Sequence, residues 1–575
     1  MKILKNKLYE PFFVLIIIIF SLILFTPGNM GEFYDAEVWK VWAASKLLIT
    51  TGKFLQNTLG PLYYSLLTFL SPFNYKDSLL IEYFITHSFF IYFTYKLIRL
   101  KNLTFLAIIF PIIWIPFLAY IQSPKYILAC GFLCLHLSNI NNEKIFKVWF
   151  PPYLLCAILC NWGYSLFLFG HLFGKIFDFL KNKKIDIGFN RNFYSALSLI
   201  LIIFFAYSTF NQLNKPYNNH LVSKYNYAPI PINSNSVFAI AFFQIGNDLY
   251  AKRELKESEW IDADWYFTNK YAFDDCKDLL CAIKNSQKTI LLNLKSTLGS
   301  GARSLANLFF GPSVYHLSRS NALFFFILSI LITSFGLLGM VYEHRWKTNL
   351  PLFCSIIIGS LGYIFALTFT KISYRYSVTL MPVAILLISY SSIGIYNTIN
   401  RLKFFKKKIT PSKANSSLVL FLLIIFLLIS NYKFHKENLN GYQFLNIFKN
   451  EKIIEKNNKT NFFKSYKEVF SKLNKDQKIL SRESTWLIGF ANVNPDKIFS
   501  IYELPPFVPN DNSVNNFLDS LDVITVSNKL KKAKPSQGTQ SYLRYKLHLI
   551  NYLEINKHKW RKNEIPYYGE VFVKK

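Results

Sequence analysis

Acidic side chains are scarce in this chain. Asp and Glu number 33 against 65 Lys and Arg, a formal net charge of +32 over 575 residues. Much of the basic excess lies in short loops beside apolar runs, where it orients a chain in a membrane. It is not gathered into a face for nucleic acid, so no nucleic-acid partner is expected. Cysteine is sparse too, at seven residues. Cys130/Cys134 and Cys156/Cys160 are i,i+4 pairs inside apolar runs. No His or carboxylate completes a metal set beside them, and they read as small buried thiols. Cys276 and Cys281 lie in a hydrophilic loop. An extracytoplasmic loop would allow them to pair, although an offset of five residues is awkward within one helix. No small-x-small site follows the basic start (Lys2, Lys5, Lys7) and the apolar run from Phe12 to Phe25. That excludes a cleaved signal peptide and leaves a signal-anchor. A Gly-rich phosphate loop is absent from the tail, and no internal repeat of the kind a transporter shows is evident.

What the chain has in abundance is apolar sequence: 52% of residues are hydrophobic and 18% aromatic. This predicts a polytopic α-helical membrane protein. Runs long enough to cross or nearly cross a bilayer fall at 11–26, 62–76, 79–98, 103–121, 125–140, 148–171, 193–210, 321–342, 350–370, 374–398 and 416–431, about eleven spans. The run 62–76 is short enough to be re-entrant. Loop 172–192 carries Lys175, Lys181, Lys183, Lys184 and Arg191; loop 399–415 carries Arg401, Lys403, Lys406, Lys407, Lys408 and Lys413. Both are expected on the cytoplasmic side, with His344, Arg345 and Lys347 in agreement. The chain is then integral to the cell (inner) membrane and multi-pass, with its N-terminus cytoplasmic and 27–61, 211–320 and 432–575 outside. Lys96, Arg99 and Lys101 break the pattern, because this count puts them outside as well.

The chain thus divides into a transmembrane part, 1–431, and a soluble α/β domain, 432–575. In the first outer loop, 27–61, Val38, Val41, Trp42, Leu48 and Ile49 fall within an arc of roughly 120° on a helical projection, with Lys40 opposite. That suits a helix lying on a membrane surface or packed within the loop. The large outer loop, 211–320, contains a mixed-charge helical stretch (Lys252 to Glu257). It also holds Asp262-Ala263-Asp264-Trp265, a chance-prone likeness to an acidic metal triplet. In the tail, Lys478–Ser481, Lys497–Tyr502, Asp522–Ser527 and Glu570–Val573 read as strands. Thr485–Ala491, Val514–Leu521 and Gln540–Ile555 read as helices. The alternation predicts a small layer with a largely parallel sheet.

Three stretches carry a likeness. Tyr34-Asp35-Ala36-Glu37 follows the signal-anchor in the first outer loop. Gly60-Pro61-Leu62-Tyr63-Tyr64-Ser65-Leu66-Leu67 opens the second apolar run. Lys371-Ile372-Ser373-Tyr374-Arg375-Tyr376, followed by Pro382, opens a late one. In this order the chain resembles the GT-C superfamily of polytopic glycosyltransferases that use polyprenyl-phosphate sugars. That group includes protein O-mannosyltransferases and the bacterial enzymes that add aminoarabinose or other sugars to lipid A and surface polysaccharide. The acidic pair here is Asp-Ala-Glu where the family shows Asp-Glu. Gln122-Ser123-Pro124-Lys125-Tyr126 lacks the acid that many members carry near a middle span.

The resemblance implies transfer of a sugar, with inversion, from a polyprenyl-phosphate donor to an envelope glycan, lipid or protein acceptor on the outer face. Such a reaction needs a base for the acceptor hydroxyl and cations for the departing phosphate. Asp35 is the candidate base, and the alternative is an N-cap for a helix starting near Ala36. Glu37 either orients the acceptor or ligates a divalent metal; no cofactor is otherwise assigned. Arg375 and Lys371 are the candidates for the phosphate, with Tyr374 and Tyr63 as further substrate-binding residues. The alternative for the basic pair is snorkelling at an interface. Glu82, His87, His136 and His171 lie in apolar runs and stay unassigned. Other classes compatible with the sequence are a non-enzymatic transporter or assembly protein, and a lipid-linked polysaccharide polymerase or ligase.

Overall fold

Two hydrophobic cores organise the chain, one among long helices and one on a small sheet. The computed structural model describes residues 9–24, 60–70, 72–73, 75–99, 124–139, 148–182, 276, 279–310, 319–344, 350–369, 378–401, 471, 473–474, 476–482, 497–500, 512–531, 540–566 and 568–575. The helical part comprises α1 (Tyr9–Leu24), α2 (Pro61–Leu70), α3 (Tyr75–Arg99), α4 (Pro124–Ser138), α5 (Pro152–Cys160) and α6 (Ser165–Asn182). It continues with α7 (Leu279–Asn285), α8 (Gln287–Phe310), α9 (Arg319–His344), α10 (Leu350–Phe369) and α11 (Met381–Arg401). The stretches Ser320–Glu343 and Val378–Thr398 are long and apolar enough to cross a membrane. The expected spans 103–121, 193–210 and 416–431 lie outside the described residues.

Glycine sets how closely the helices approach. On α9, Gly336 sits against Leu387, and Gly339 against Tyr390 and Gly394 of α11. A methyl group at Gly339 or Gly394 would run into the partner helix's backbone. Gly394 also meets Phe335, so the seam is a crossing. α11 starts at the level of Gly163 and Tyr363 and reaches Gly339 near the end of α9, so α9 and α11 run parallel. On α6, Gly170 meets Cys354 and Ser355, and Gly174 meets Leu350 and Pro351 of α10. Here the numbers run in opposite senses, and the pair is antiparallel. Ser355 Oγ donates across this seam to Phe167 O (2.8 Å). Close approach through small residues is how helices cohere where apolar burial alone gives no preference over lipid. In a third pair, α3 and α4, Gly131 meets Phe89 and Phe90, and Thr94 Oγ1 lies 3.7 Å from Cys134 Sγ. These two helices are parallel.

The run 148–171 does not cross in one pass as expected. After α5 the chain makes a 3-10 turn at Trp162–Tyr164, and α6 starts at Ser165. His171 Nε2 donates to Val148 O at 2.9 Å. A straight helix would hold these residues about 34 Å apart, so the segment is a hairpin with its tip at Asn161–Tyr164. The tip lies halfway along α4, where Tyr164 Oη is 3.4 Å from Cys130 Sγ. α6 therefore returns in the direction of α4. Its antiparallel partner α10 starts beside Gly174, and the five-residue link 345–349 spans at most about 20 Å. α9 thus ends where α10 begins, and α11 runs with α9.

The C-termini of α3, α4, α6, α9 and α11 consequently share one end of the bundle. The segments leaving that end carry Lys101; Lys144 and Lys147; Lys183, Lys184 and Arg191; Arg345 and Lys347; and Lys403 and Lys406 to Lys408. Lys96 and Arg99, in the last turn of α3, belong to this same basic end. They conflicted with the alternating count, which took 148–171 as a single pass where the chain folds back.

The C-terminal sheet is built from β1 (Ile479–Ser481), β2 (Ile498–Ser500), β3 (Val523–Ser527), β4 (Trp560–Ile565) and β5 (Gly569–Lys574) in the order β2-β1-β3-β5-β4. α12 (Asn512–Asp519), α13 (Asn528–Lys531) and α14 (Gln540–Ile555) lie between the strands in sequence. β1 pairs parallel with β2 and β3, whereas β5 pairs antiparallel with β3 and β4. The sheet is therefore mixed, not largely parallel. Leu480, Leu518, Ile524, Val526, Leu549, Tyr552 and Trp560 form its core. Gly569 adopts φ +134°, and a side chain there would meet Val526 O, so the turn into β5 requires glycine.

Candidate functional site

Among the residues singled out from the sequence, Asp35, Glu37, Lys371, Tyr374 and Arg375 lie outside the described residues, as do 262–265 and the helical arc after Val38. Tyr63 is described and is fully buried on α2. What the structure gives is the surroundings of the segments that flank the others.

Those surroundings converge on the hairpin tip. Gly60 lies against the carbonyls of Leu159 and Cys160 at the end of α5, so close that a Cβ would overlap them. Pro61 then opens α2 with its φ already suited to a first helical turn, and Tyr64 N–H donates to Gly60 O (3.1 Å). On the other side, the 3-10 turn Val378–Leu380 is wholly buried. Tyr164 Oη donates to Thr379 O at 2.7 Å, and Cys130 Sγ donates to Val378 O at 3.3 Å. One break in helix, 161–164, thus meets two helix starts, 60–61 and 378–380, at one level of the bundle. Irregular backbone at membrane depth is tolerated where protein buries it or where it lines a polar cavity.

The tip itself is ordered by an amide. Asn161 Oδ1 accepts Gly163 N–H (3.1 Å). Asn161 N–H caps α5 through Ala157 O (2.8 Å), and Tyr164 N–H donates to Asn161 O (3.1 Å). Because the Gly163 N–H can only donate, it fixes which end of the Asn161 amide is oxygen. The remaining donor, Asn161 Nδ2, is out of solvent contact and has no hydrogen-bond partner among the described residues. Gly163 in turn is pressed against the Tyr363 ring of α10. Asn161 was not singled out from the sequence. The signal was there: Asn161-Trp162-Gly163 interrupts an apolar run with a turn former and a glycine.

Glu82, His87, His136 and His171 are all buried in the bundle. His87 Nδ1 donates to Tyr83 O (3.0 Å), and its ring lies 4.2 Å from that of Tyr83. His171 holds the hairpin shut, as described. The paired cysteines Cys130 and Cys134 are buried thiols hydrogen-bonded to neighbouring helices. Among the described residues no three His, Cys, Asp or Glu side chains come together as a metal site.

Cys276 and Cys281 form a disulfide with Cα atoms 5.5 Å apart. Their offset is accommodated because Cys276 precedes α7 and only Cys281 lies on it. In the sheet domain, Asp519 accepts hydrogen bonds from Tyr552 Oη (2.5 Å) and Lys559 Nζ (2.9 Å), which hold its carboxyl below the usual range. Burial pushes Glu570 up, but hydrogen bonds from Lys531 and Lys562 outweigh it and hold this carboxyl low as well. Both groups fasten elements of the sheet domain to one another. No family model, curated protein or solved structure matches the chain.

Proposed function

We propose that the chain is an integral membrane glycosyltransferase that moves a sugar from a polyprenyl-phosphate donor to an acceptor on the outer face. One observation carries the reading. Gly60-Pro61 and Val378–Leu380, which directly follow the two segments with candidate chemistry, meet at the same hairpin tip. Asp35 lies 25 residues before Gly60, and Arg375 lies three before Val378. Both segments therefore lead, in sequence, to one point of the bundle. On this proposal the basic end is cytoplasmic and the opposite end, which 311–318 and 370–377 adjoin, is outer. The runs 62–76 and 148–171 are re-entrant, about nine crossings remain, and the terminal domain is extracytoplasmic. The Cys276–Cys281 disulfide suits an outer loop.

The chemistry follows from where donor and acceptor meet. A nucleotide sugar is not at hand outside the cytoplasm, and a lipid phosphate delivers the sugar at the membrane. Asp35 takes the acceptor proton as the hydroxyl attacks the anomeric carbon, and Arg375 with Lys371 neutralises the departing phosphate. Asp35→Asn is expected to lower transfer at least 100-fold in membranes supplied with labelled polyprenyl-phosphate sugar, with donor binding retained. Near-normal transfer by that variant would sink the assignment.

A second reading has one observation in its favour. Broken helices with a buried polar residue are also how transporters build a binding site. Proteoliposomes separate the two: label moved onto an acceptor supports transfer, and unmodified solute accumulated inside supports transport.

A further inference from the structure

We infer that Asn161 is a sugar-recognising residue whose Nδ2 donates to a hydroxyl oxygen of the sugar on the polyprenyl-phosphate donor. The inference rests on the glycosyltransferase reading and extends it to specificity. A buried amide donor without a partner is costly and uncommon. It is tolerated where the missing partner is supplied by something that binds. The rest of the Asn161 side chain and backbone is fully engaged in forming the tip, so Nδ2 is the one group left to act outward. It sits at a helix break against which two further helices start, the position that discontinuous helices commonly give to a ligand.

The surroundings select the ligand's chemistry. Gly60, Pro61, Cys160, Trp162, Gly163 and Tyr164 bring no formal charge to the tip. An anion buried there would lose its hydration without a countercharge. A neutral hydroxyl needs only the hydrogen bond that Nδ2 offers, so the sugar rather than the phosphate belongs at this point. A second buried amide lies on α8. Asn307 of α8 is fully buried with both Oδ1 and Nδ2 unpartnered among the described residues. α8 packs on α9, α10 and α11, and the Phe310 ring lies tilted against that of Phe325 near the start of α9, 5.1 Å between centroids.

The test uses the full chain in lipid nanodiscs and synthetic short-chain carriers: a bare polyprenyl phosphate, and its hexosyl, pentosyl and aminopentosyl derivatives. Wild-type protein is expected to bind at least one glycosylated carrier about tenfold more tightly than the bare phosphate, the worth of one good buried hydrogen bond. Asn161→Leu, close in shape and without polar atoms, is expected to erase that margin while leaving affinity for the bare phosphate unchanged. Its ligand-free unfolding temperature is expected to fall only slightly, because the loss of the Oδ1 acceptor of Gly163 N–H is offset in part by removal of an unsatisfied donor. A margin that survives in Asn161→Leu, or no margin for any sugar in the wild type, overturns the role of Asn161. A variant that loses both affinities and unfolds earlier overturns it too, by making the residue structural. If the wild type binds none of the carriers, the glycosyltransferase reading itself falls.

Discussion

On α9 of the bundle, Leu323, Phe324, Ile327, Ile330 and Leu331 face outward. On β4 of the terminal sheet, the outward residues are Arg561, Lys562, Asn563 and Glu564. The two regions therefore keep opposite surfaces, and the forces inside them differ accordingly. The sheet domain gains by removing Leu480, Ile524 and Trp560 from water. The bundle, with apolar side chains on both its inside and its outside, gains little by such sorting. Its cohesion comes from glycine-permitted backbone approach and from bonds such as Tyr164 to Thr379 O. Where solvent supplies no preference for the interior, shape and hydrogen bonds must supply it.

The comparison can be broken at its strongest point first. Gly339→Leu inserts a side chain where even a methyl meets the backbone of α11. It is expected to abolish the monodisperse folded protein in detergent, read by size-exclusion chromatography, while hydrogen exchange in β3 stays unchanged. Retention of the α9–α11 pair would show that lipid-like packing, not close approach, holds the bundle. In the other direction, Ile524→Ala is expected to cost the sheet domain about 2–4 kcal/mol by deleting buried methylenes. Denaturant-dependent exchange at β3 amides reads this loss, and the helices of the bundle should keep their protection.

The smallest effect is one of pH. Asp519 and Glu570 both have carboxyls held below their ordinary values in the folded chain. A depressed folded-state value means stability that is present above the ordinary carboxylate range and is lost as pH falls through the folded-state value. Acidification should loosen the sheet domain before the bundle. Asp519 is substantially exposed, with 39% of its side chain accessible, so screening limits its share to at most about 1 kcal/mol. Asp519→Asn should flatten that acid limb slightly in exchange measurements. An unchanged limb would remove Asp519 from the account.

Legibility differed between the regions for the same physical reason. In the sheet domain, water imposes a pattern. Gln540–Ile555 was readable as a helix to its end residues, and β1, β2, β3 and β5 fall within two residues or so of their sequence-derived bounds. β4 was missed because an edge strand whose middle is Arg561-Lys562-Asn563-Glu564 carries no apolar alternation. β5, antiparallel to both β3 and β4, is what makes the sheet mixed. In the bundle, apolar runs announce helices but not their direction, and 148–171 looks like one span although it is two arms of a hairpin. The contradiction was visible at Lys96, Arg99 and Lys101, basic residues that an unbroken count sends to the wrong end. The flanks of the candidate site, Gly60-Pro61 and the turn before Pro382, were legible as sequence. Their meeting at Asn161 was not, because contact between segments so far apart leaves no local periodicity.

The hydrogen bond from Tyr164 to Thr379 also sets an order in time. It closes over a sequence separation of 215 residues. At ordinary rates of synthesis, Thr379 follows Tyr164 by about ten to forty seconds. Through that interval the tip lacks the partner that Val378–Leu380 supplies. The turn Val378–Leu380 is therefore the last piece of the tip to be synthesised, and Tyr164 and Cys130 wait for their carbonyl acceptors until it arrives.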